Sequence, residues 1–262
     1  MPTYLERILD GHRAAAAADD RSLGELEAAA GAMPPARGFA KTLAGERGLS
    51  VIAEVKRRSP SRGILAQGLD PAEVARQYAA GGAACLSVLT DTEWFGGSPA
   101  DLVAARAACR LPVLRKDFTV GRADVYDARV MGADAVLLIV AALTPEELGE
   151  LLALARDLGM DALVEVHDEA EADRALAAGA ELVGVNQRDL VTFEVDHSRA
   201  ERLAARLPGD VVRVAESGIS GPDDAARLAA AGFDAVLVGE SVVTAGDRAA
   251  AVEALRRAAR CS

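Results

Sequence analysis

From residue 51 onward the chain repeats one pattern eight times: a short apolar or β-branched run, then a longer stretch rich in Ala, Leu, Glu and Arg. The runs VIAEV, ACLSVL, PVLR, DAVLLI, ALVEV, LVGVN, VVRVA and DAVLVG begin near residues 51, 84, 112, 134, 162, 182, 211 and 234. Being apolar almost throughout, they suit parallel strands covered on both faces, and parallel neighbours need a long crossover such as a helix. Eight strand-then-helix units predict an α/β fold, a single (βα)8 TIM barrel, with a doubly wound open sheet as the second choice. Local signals agree. Asp70, Ser98 and Thr144 each precede a proline and offer a side-chain oxygen to a helix start, while Gly132, Gly159, Gly179 and Gly232 stand where helices should stop.

Residues 1–50 fall outside the repeat and read as an N-terminal helical extension covering one end of the barrel. With no linker between them, 1–50 and 51–262 form one domain in this reading, and 51% hydrophobic residues supply an ample core. A formal charge of -11 argues against nucleic acid and against an anionic membrane surface as partners. No apolar run approaches spanning length, and the first residues are amphipathic rather than a secretory signal. Cys85, Cys109 and Cys261 have neither metal-ligand nor disulfide spacing, so a reducing, cytoplasmic setting is expected, with no metal and no cofactor. The expected state is a monomer, with a weak homodimer as the alternative.

Active sites of TIM barrels form at the C-terminal ends of the strands. The scarcest polar residues of this chain lie there. It has three lysines, and two of them, Lys56 and Lys116, end strands one and three; its single asparagine, Asn186, ends strand six. A lysine amine can hold an anion and pass a proton, which arginine does not readily do. Glu54 and Glu165 end strands one and five, Arg188 follows strand six, and Glu216, Ser217 and Gly218 end strand seven. The loops ESGISGP and VGES after strands seven and eight suggest a phosphate cradle of backbone N–H groups, with Gly218 and Gly239 allowing close approach and Ser217 or Ser241 adding a hydroxyl. A small anionic phosphosugar, handled by proton transfer, is the substrate class these residues suit.

Plainer readings apply to other residues. Lys41 reads as a solvated helix residue, His12 and His197 as surface residues, Cys85 as core, and His167 as a residue that orients a neighbour or faces the rim in preference to acting as the base. Trp94 and Phe95 could cover substrate or simply pack, and Glu54 could be a catalytic acid or a structural partner of Lys56.

IAEVKRRSPSRG at 52–63 resembles the signature of indole-3-glycerol phosphate synthases, and SVLTDTEWFGGS, LPVLRKDF, GADAVLLI, LVEVHD, GVNQRDL, VAESGI and VLVGES follow in family order. The resemblance implies a cofactor-free ring closure: 1-(2-carboxyphenylamino)-1-deoxyribulose 5-phosphate becomes indole-3-glycerol phosphate, releasing carbon dioxide and water, in tryptophan synthesis. It implies Lys116 as the general acid on the ketone. Lys56 would bind the anthranilate carboxylate or the phosphate and serve as acid in the dehydration. Glu165 would be general base or cation stabiliser, and Glu54 and Asn186 would position the anilino nitrogen and hydroxyls. Ser217, Gly218, Gly239, Glu240 and Ser241 fall at the phosphate cradle, Ser59 and Arg188 near the anionic substrate, and Phe95, Phe118, Pro60, Leu137 and Leu190 around its aromatic ring. The sequence departs from the family pattern at Arg62, Gly96, Gln187 and the His12-Arg13 pair. A phosphoribosylanthranilate isomerase would instead need a cysteine ending strand one, where Glu54 and Lys56 stand. A catalytically silent phosphosugar-binding paralogue is the alternative from another class.

Overall fold

A computed structural model describes residues 3–45, 48–60, 62–189, 191 and 193–258. The eight apolar runs are eight parallel strands: β1 Ser50–Val55, β2 Cys85–Leu89, β3 Val113–Lys116, β4 Ala135–Ile139, β5 Asp161–Val166, β6 Leu182–Asn186, β7 Val212–Glu216 and β8 Ala235–Val238. Every start lies within one residue of the position read from sequence. Each strand pairs with its sequence neighbours, and β8 returns to β1 in the register Ser50↔Ala235 to Ala53↔Val238, so the sheet has no open edge. Their middles are buried on both faces, which explains the missing polar alternation.

Three helices precede the barrel, α1 Tyr4–Ala17, α2 Leu23–Gly31 and α3 Phe39–Ala44. The crossovers are α4 Pro71–Ala80, α5 Pro99–Ala108, α6 Arg122–Val130, α7 Pro145–Asp157, α8 Glu169–Ala177, α9 His197–Ala204 and α10 Pro222–Ala230; a short α11, Glu240–Val243, and α12, Arg248–Ala258, follow β8. The proline-flanked caps act as expected. Asp70 accepts from the Ala72 N–H, Ser98 from Asp101 and Thr144 from Glu147. A small antiparallel hairpin pairs Arg58 with Ile64 and Ser59 with Gly63 in the loop after β1.

The extension does more than cover one end. At the N-terminal end α3 drives Phe39 and Leu43 into the core, each at most 1% exposed. There the Arg37 N–H donates to Asp134 and the Ala40 N–H to Asp161, both over 2.9 Å. Helix α1 instead lies at the opposite end, where Tyr4, Leu5 and Ile8 line the mouth. Between them α2 packs on α6, and Arg21 reaches Asp127 of that helix at 2.8 Å. The extension is therefore a strap from mouth to base rather than a cap.

Candidate active site

The C-terminal ends of the strands surround a cavity of about 520 Å³. Side chains alternate along each strand, so residues two apart share its inward face. Glu54 and Lys56 from β1 and just beyond it, Lys116 from β3, Leu137 and Ile139 from β4, Glu165 from β5, Asn186 from β6 and Glu216 from β7 all face this space. Arg115, next to Lys116, faces outward and is held by Asp117 at 3.1 Å and the Asp124 carbonyl at 2.7 Å.

Lys116 is the centre of the charge network. Its Nζ lies 2.6 Å from Glu216 Oε2 and 3.3 Å from Glu165 Oε2. Burial opposes the ammonium, but attraction to Glu216, Glu165 and Glu54 outweighs it and raises the lysine's pKa. Burial likewise works against an ionised Glu165, yet Lys116, His167 and the Asn186 amide, 3.1 Å away, hold it below the usual carboxylate range. Glu216 goes the other way. Burial, reinforced by the nearby charges of Glu165 and Glu54, pushes it up to about 7 despite Lys116. Its other oxygen, Oε1, is buried without a hydrogen-bond partner. Gly184 makes room for that carboxylate: a Cβ there would collide with Glu216 Oε1.

Across the mouth, Lys56 Nζ sits 2.5 Å from Glu54 Oε1. Glu54 is thus Lys56's partner, whatever else it does. Gly239 leaves room for this pair, since a Cβ on it would collide with Glu54 Oε1 and crowd Lys56 Nζ at 2.9 Å. His167 does contact its neighbour, with Nε2 3.3 Å from Glu165 and Nδ1 3.0 Å from Glu171. Burial opposes its charge, but bonds to these two carboxylates raise its pKa to about 10, which excludes it as a base near neutrality.

The proposed anion-binding residues also converge. Ser217 and Gly218 both have left-handed backbone, φ 67° and 71°, and line the cavity beside Gly239, Glu240 and Ser241. A left-handed serine is uncommon and marks a constrained turn. The Ser241 hydroxyl is committed to the Ile219 carbonyl at 3.0 Å, so it braces the turn after β7. The Glu240 carboxylate faces Arg62 at 3.1 Å, leaving its backbone N–H as what it can offer an anion. Ser59 and Arg188 line the same space; Arg188 also donates to the Phe193 carbonyl at 2.8 Å. Pro60, Phe95, Phe118 and Leu137 supply an apolar wall, with the two phenylalanine rings 6.3 Å apart. Leu190 lies outside the described residues.

One reading needs correction and one open choice is resolved. His12 is not a surface residue: its side chain is 21% exposed and its Nε2 lies 3.1 Å from Asp91. Trp94 and Phe95 divide the roles offered to them, because Phe95 faces the cavity whereas Trp94 packs edge-on to Tyr4 under the Arg7 guanidinium. Glu216 was visible as a strand end but received no role; its inward parity, shared with Val214 and Val212, was the usable signal. Among the described residues, His12, Asp91 and Asp117 bring one ligand atom each within 4.8 Å of one another. Every carboxylate oxygen there already accepts from protein donors, including Arg115, so the group is an ion-pair cluster rather than a metal centre.

A closed parallel barrel with a buried lysine–carboxylate network at its C-terminal mouth defines the class of (βα)8 enzymes that work by acid–base chemistry. The family model for indole-3-glycerol phosphate synthase matches residues 5–255. Indole-3-glycerol phosphate synthase 2 of Streptomyces coelicolor is 54% identical over 90% of this chain and 91% of its own length. The indole-3-glycerol phosphate synthase of Rhodococcus jostii is 53% identical over 95% and 93%. The chain belongs to the indole-3-glycerol phosphate synthase family. A thiamine phosphate pyrophosphorylase from Pyrococcus furiosus superposes with a TM-score of 0.62 over 84% of this chain and 97% of that one, at 18% identity, a likeness of barrel alone.

Proposed function

We propose that the protein is a carboxy-lyase that closes the indole ring, converting 1-(2-carboxyphenylamino)-1-deoxyribulose 5-phosphate to indole-3-glycerol phosphate in tryptophan biosynthesis. The observation that carries this reading is the Lys116 ammonium held between Glu216 and Glu165. With its pKa raised it stays protonated, which suits donation to a ketone oxygen and not attack as a free amine. As the ring carbon bearing the carboxylate bonds to the ketone carbon, the carbonyl electron pair moves to oxygen, and that oxygen takes the Lys116 proton. Glu216, poised near neutrality at 2.6 Å, can return a proton to the amine. Loss of carbon dioxide leaves its bonding pair in the ring and restores aromaticity. The ring nitrogen then helps expel the hydroxyl as water with a proton from Lys56, and Glu165 takes a proton from the adjacent CH2 to complete the indole.

In this reading Glu54 and Asn186 orient the anilino nitrogen and hydroxyls, while Ser217, Gly218, Gly239, Glu240 and Ser241 surround the phosphate. Ser59 and Arg188 face the remaining anionic groups, and Phe95, Phe118, Pro60 and Leu137 enclose the ring. No helix among the described residues is long and apolar enough to cross a membrane. Free thiols at Cys85 and Cys109 accord with a cytoplasmic setting. We take 1–50 and 51–262 to fold as one unit and the protein to act as a monomer on this phosphosugar. Purified protein should generate indole fluorescence when given the carboxyphenylamino substrate. A flat trace at high enzyme concentration would replace this reading with that of a silent phosphosugar-binding paralogue.

A further inference from the structure

His12 does not line the cavity, yet it touches two groups that shape one wall of it. Its Nε2 lies 3.1 Å from Asp91 Oδ2, and the other oxygen of Asp91 accepts from the backbone N–H groups of Trp94, at 2.6 Å, and Phe95, at 3.1 Å. Asp91 therefore sets the turn that presents Phe95 to the mouth. The imidazole ring also lies 5.3 Å from the Phe118 ring, tilted by 39°, and Phe118 in turn faces Phe95. We infer that His12 is a positioning residue: as an imidazolium it fixes the Phe95–Phe118 wall against the substrate's aromatic ring, acting through Asp91 and Phe118. The inference rests on the ring-closing function proposed above.

The charges around His12 suit an imidazolium. Asp91 faces it from the loop after β2, Asp117 lies 3.9 Å away at the end of β3, and Asp124 adds its charge from α6. Of the nearby cations, Arg13 pairs with Glu147 at 2.9 Å and Lys116 with its two glutamates, while Arg115 shares Asp117 with His12 and leaves Asp91 as the main partner of the imidazole. The hydrogen bond to Asp91 leads in raising the His12 pKa above 6.5, against the opposing effect of burial. A protonated ring over Phe118 adds a cation–π attraction that a neutral one lacks. The charge on this contact is fully present below pH 6.5 and is lost as pH rises through the raised value, leaving at most a neutral hydrogen bond to Asp91.

Trp94 is the chain's single tryptophan, and its backbone N–H donates to Asp91, so its emission reports on the turn that Asp91 holds. In the wild type this emission should titrate between about pH 5 and 9, with a midpoint above the free-imidazole value; in His12→Gln it should stay flat. At the acid end of that range, His12→Gln and His12→Ala should raise KM about fivefold with kcat changed less than about twofold, the signature of lost ground-state binding. His12→Lys retains a cation and should keep KM low across the range. A wild-type emission that does not titrate, or unchanged KM in both neutral variants, overturns the inference. If the wild type turns over no substrate, the functional reading fails, while the emission titration still decides whether His12 controls the turn.

Discussion

The two ends of the barrel both bury carboxylates, but in different company. At the base, Asp134 accepts from the backbone N–H groups of Arg37 and Val113 and from Arg106, all at 2.9 Å. Asp161 takes the Ala40 N–H, and Asp234 the Arg213 N–H at 2.8 Å. Most of these donors are amides fixed by the fold, with no proton to give. At the mouth, Glu54, Glu165 and Glu216 face lysine amines, whose protons exchange and whose side chains can turn. A buried acid bound to amides fastens structure, and one bound to an amine is available for chemistry.

The strongest way to break this comparison is Lys116→Met. It should cut kcat by about a thousandfold or more while the thermal midpoint moves little, as expected of a lost transition-state interaction. Near-normal turnover would remove Lys116 from the proposed acid role, and unfolding would make it a structural residue like those at the base. At the other end, Phe39→Ala should cost roughly 3–5 kcal/mol of stability in denaturant melts, from lost burial and the cavity left behind, yet leave kcat of the folded fraction unaltered. A fall in kcat with no loss of stability would erase the division between the two ends.

A smaller effect sharpens it. Burial raises Glu216 from 4.5 to about 7, so folding favours its protonated form. That contribution to stability is complete below pH 4.5 and is lost as pH rises through about 7. The wild-type rate profile should therefore carry an ionisation near pH 7 that Glu216→Gln removes. An unchanged profile in that variant would assign the ionisation to another group.

How legible was this in the sequence? The strand starts and the caps at Asp70, Ser98 and Thr144 were, because they depend on neighbours a few residues away. Lys56, Lys116 and Asn186 were marked by rarity and by their place at strand ends. Glu216 stood equally at a strand end, but Ser217 and Gly218 beside it drew the role, and only barrel closure sets its carboxylate against a lysine 100 residues earlier in the chain. The burial of His12 is not legible, because its partner Asp91 is 79 residues away and nothing in an amphipathic helix announces such a contact. The path of the extension from mouth to base is not legible either, because helix periodicity gives an apolar face without saying which neighbour covers it.

The eight-unit barrel, its punctuation and the inventory of acids and amines at one rim are written in the residues themselves, since periodicity and capping are local properties. Which acid meets which amine follows from the folded barrel alone. That pairing governs protonation because Coulomb coupling depends on separations of a few ångströms inside a poorly solvated mouth. Such distances exist only once β8 has closed against β1.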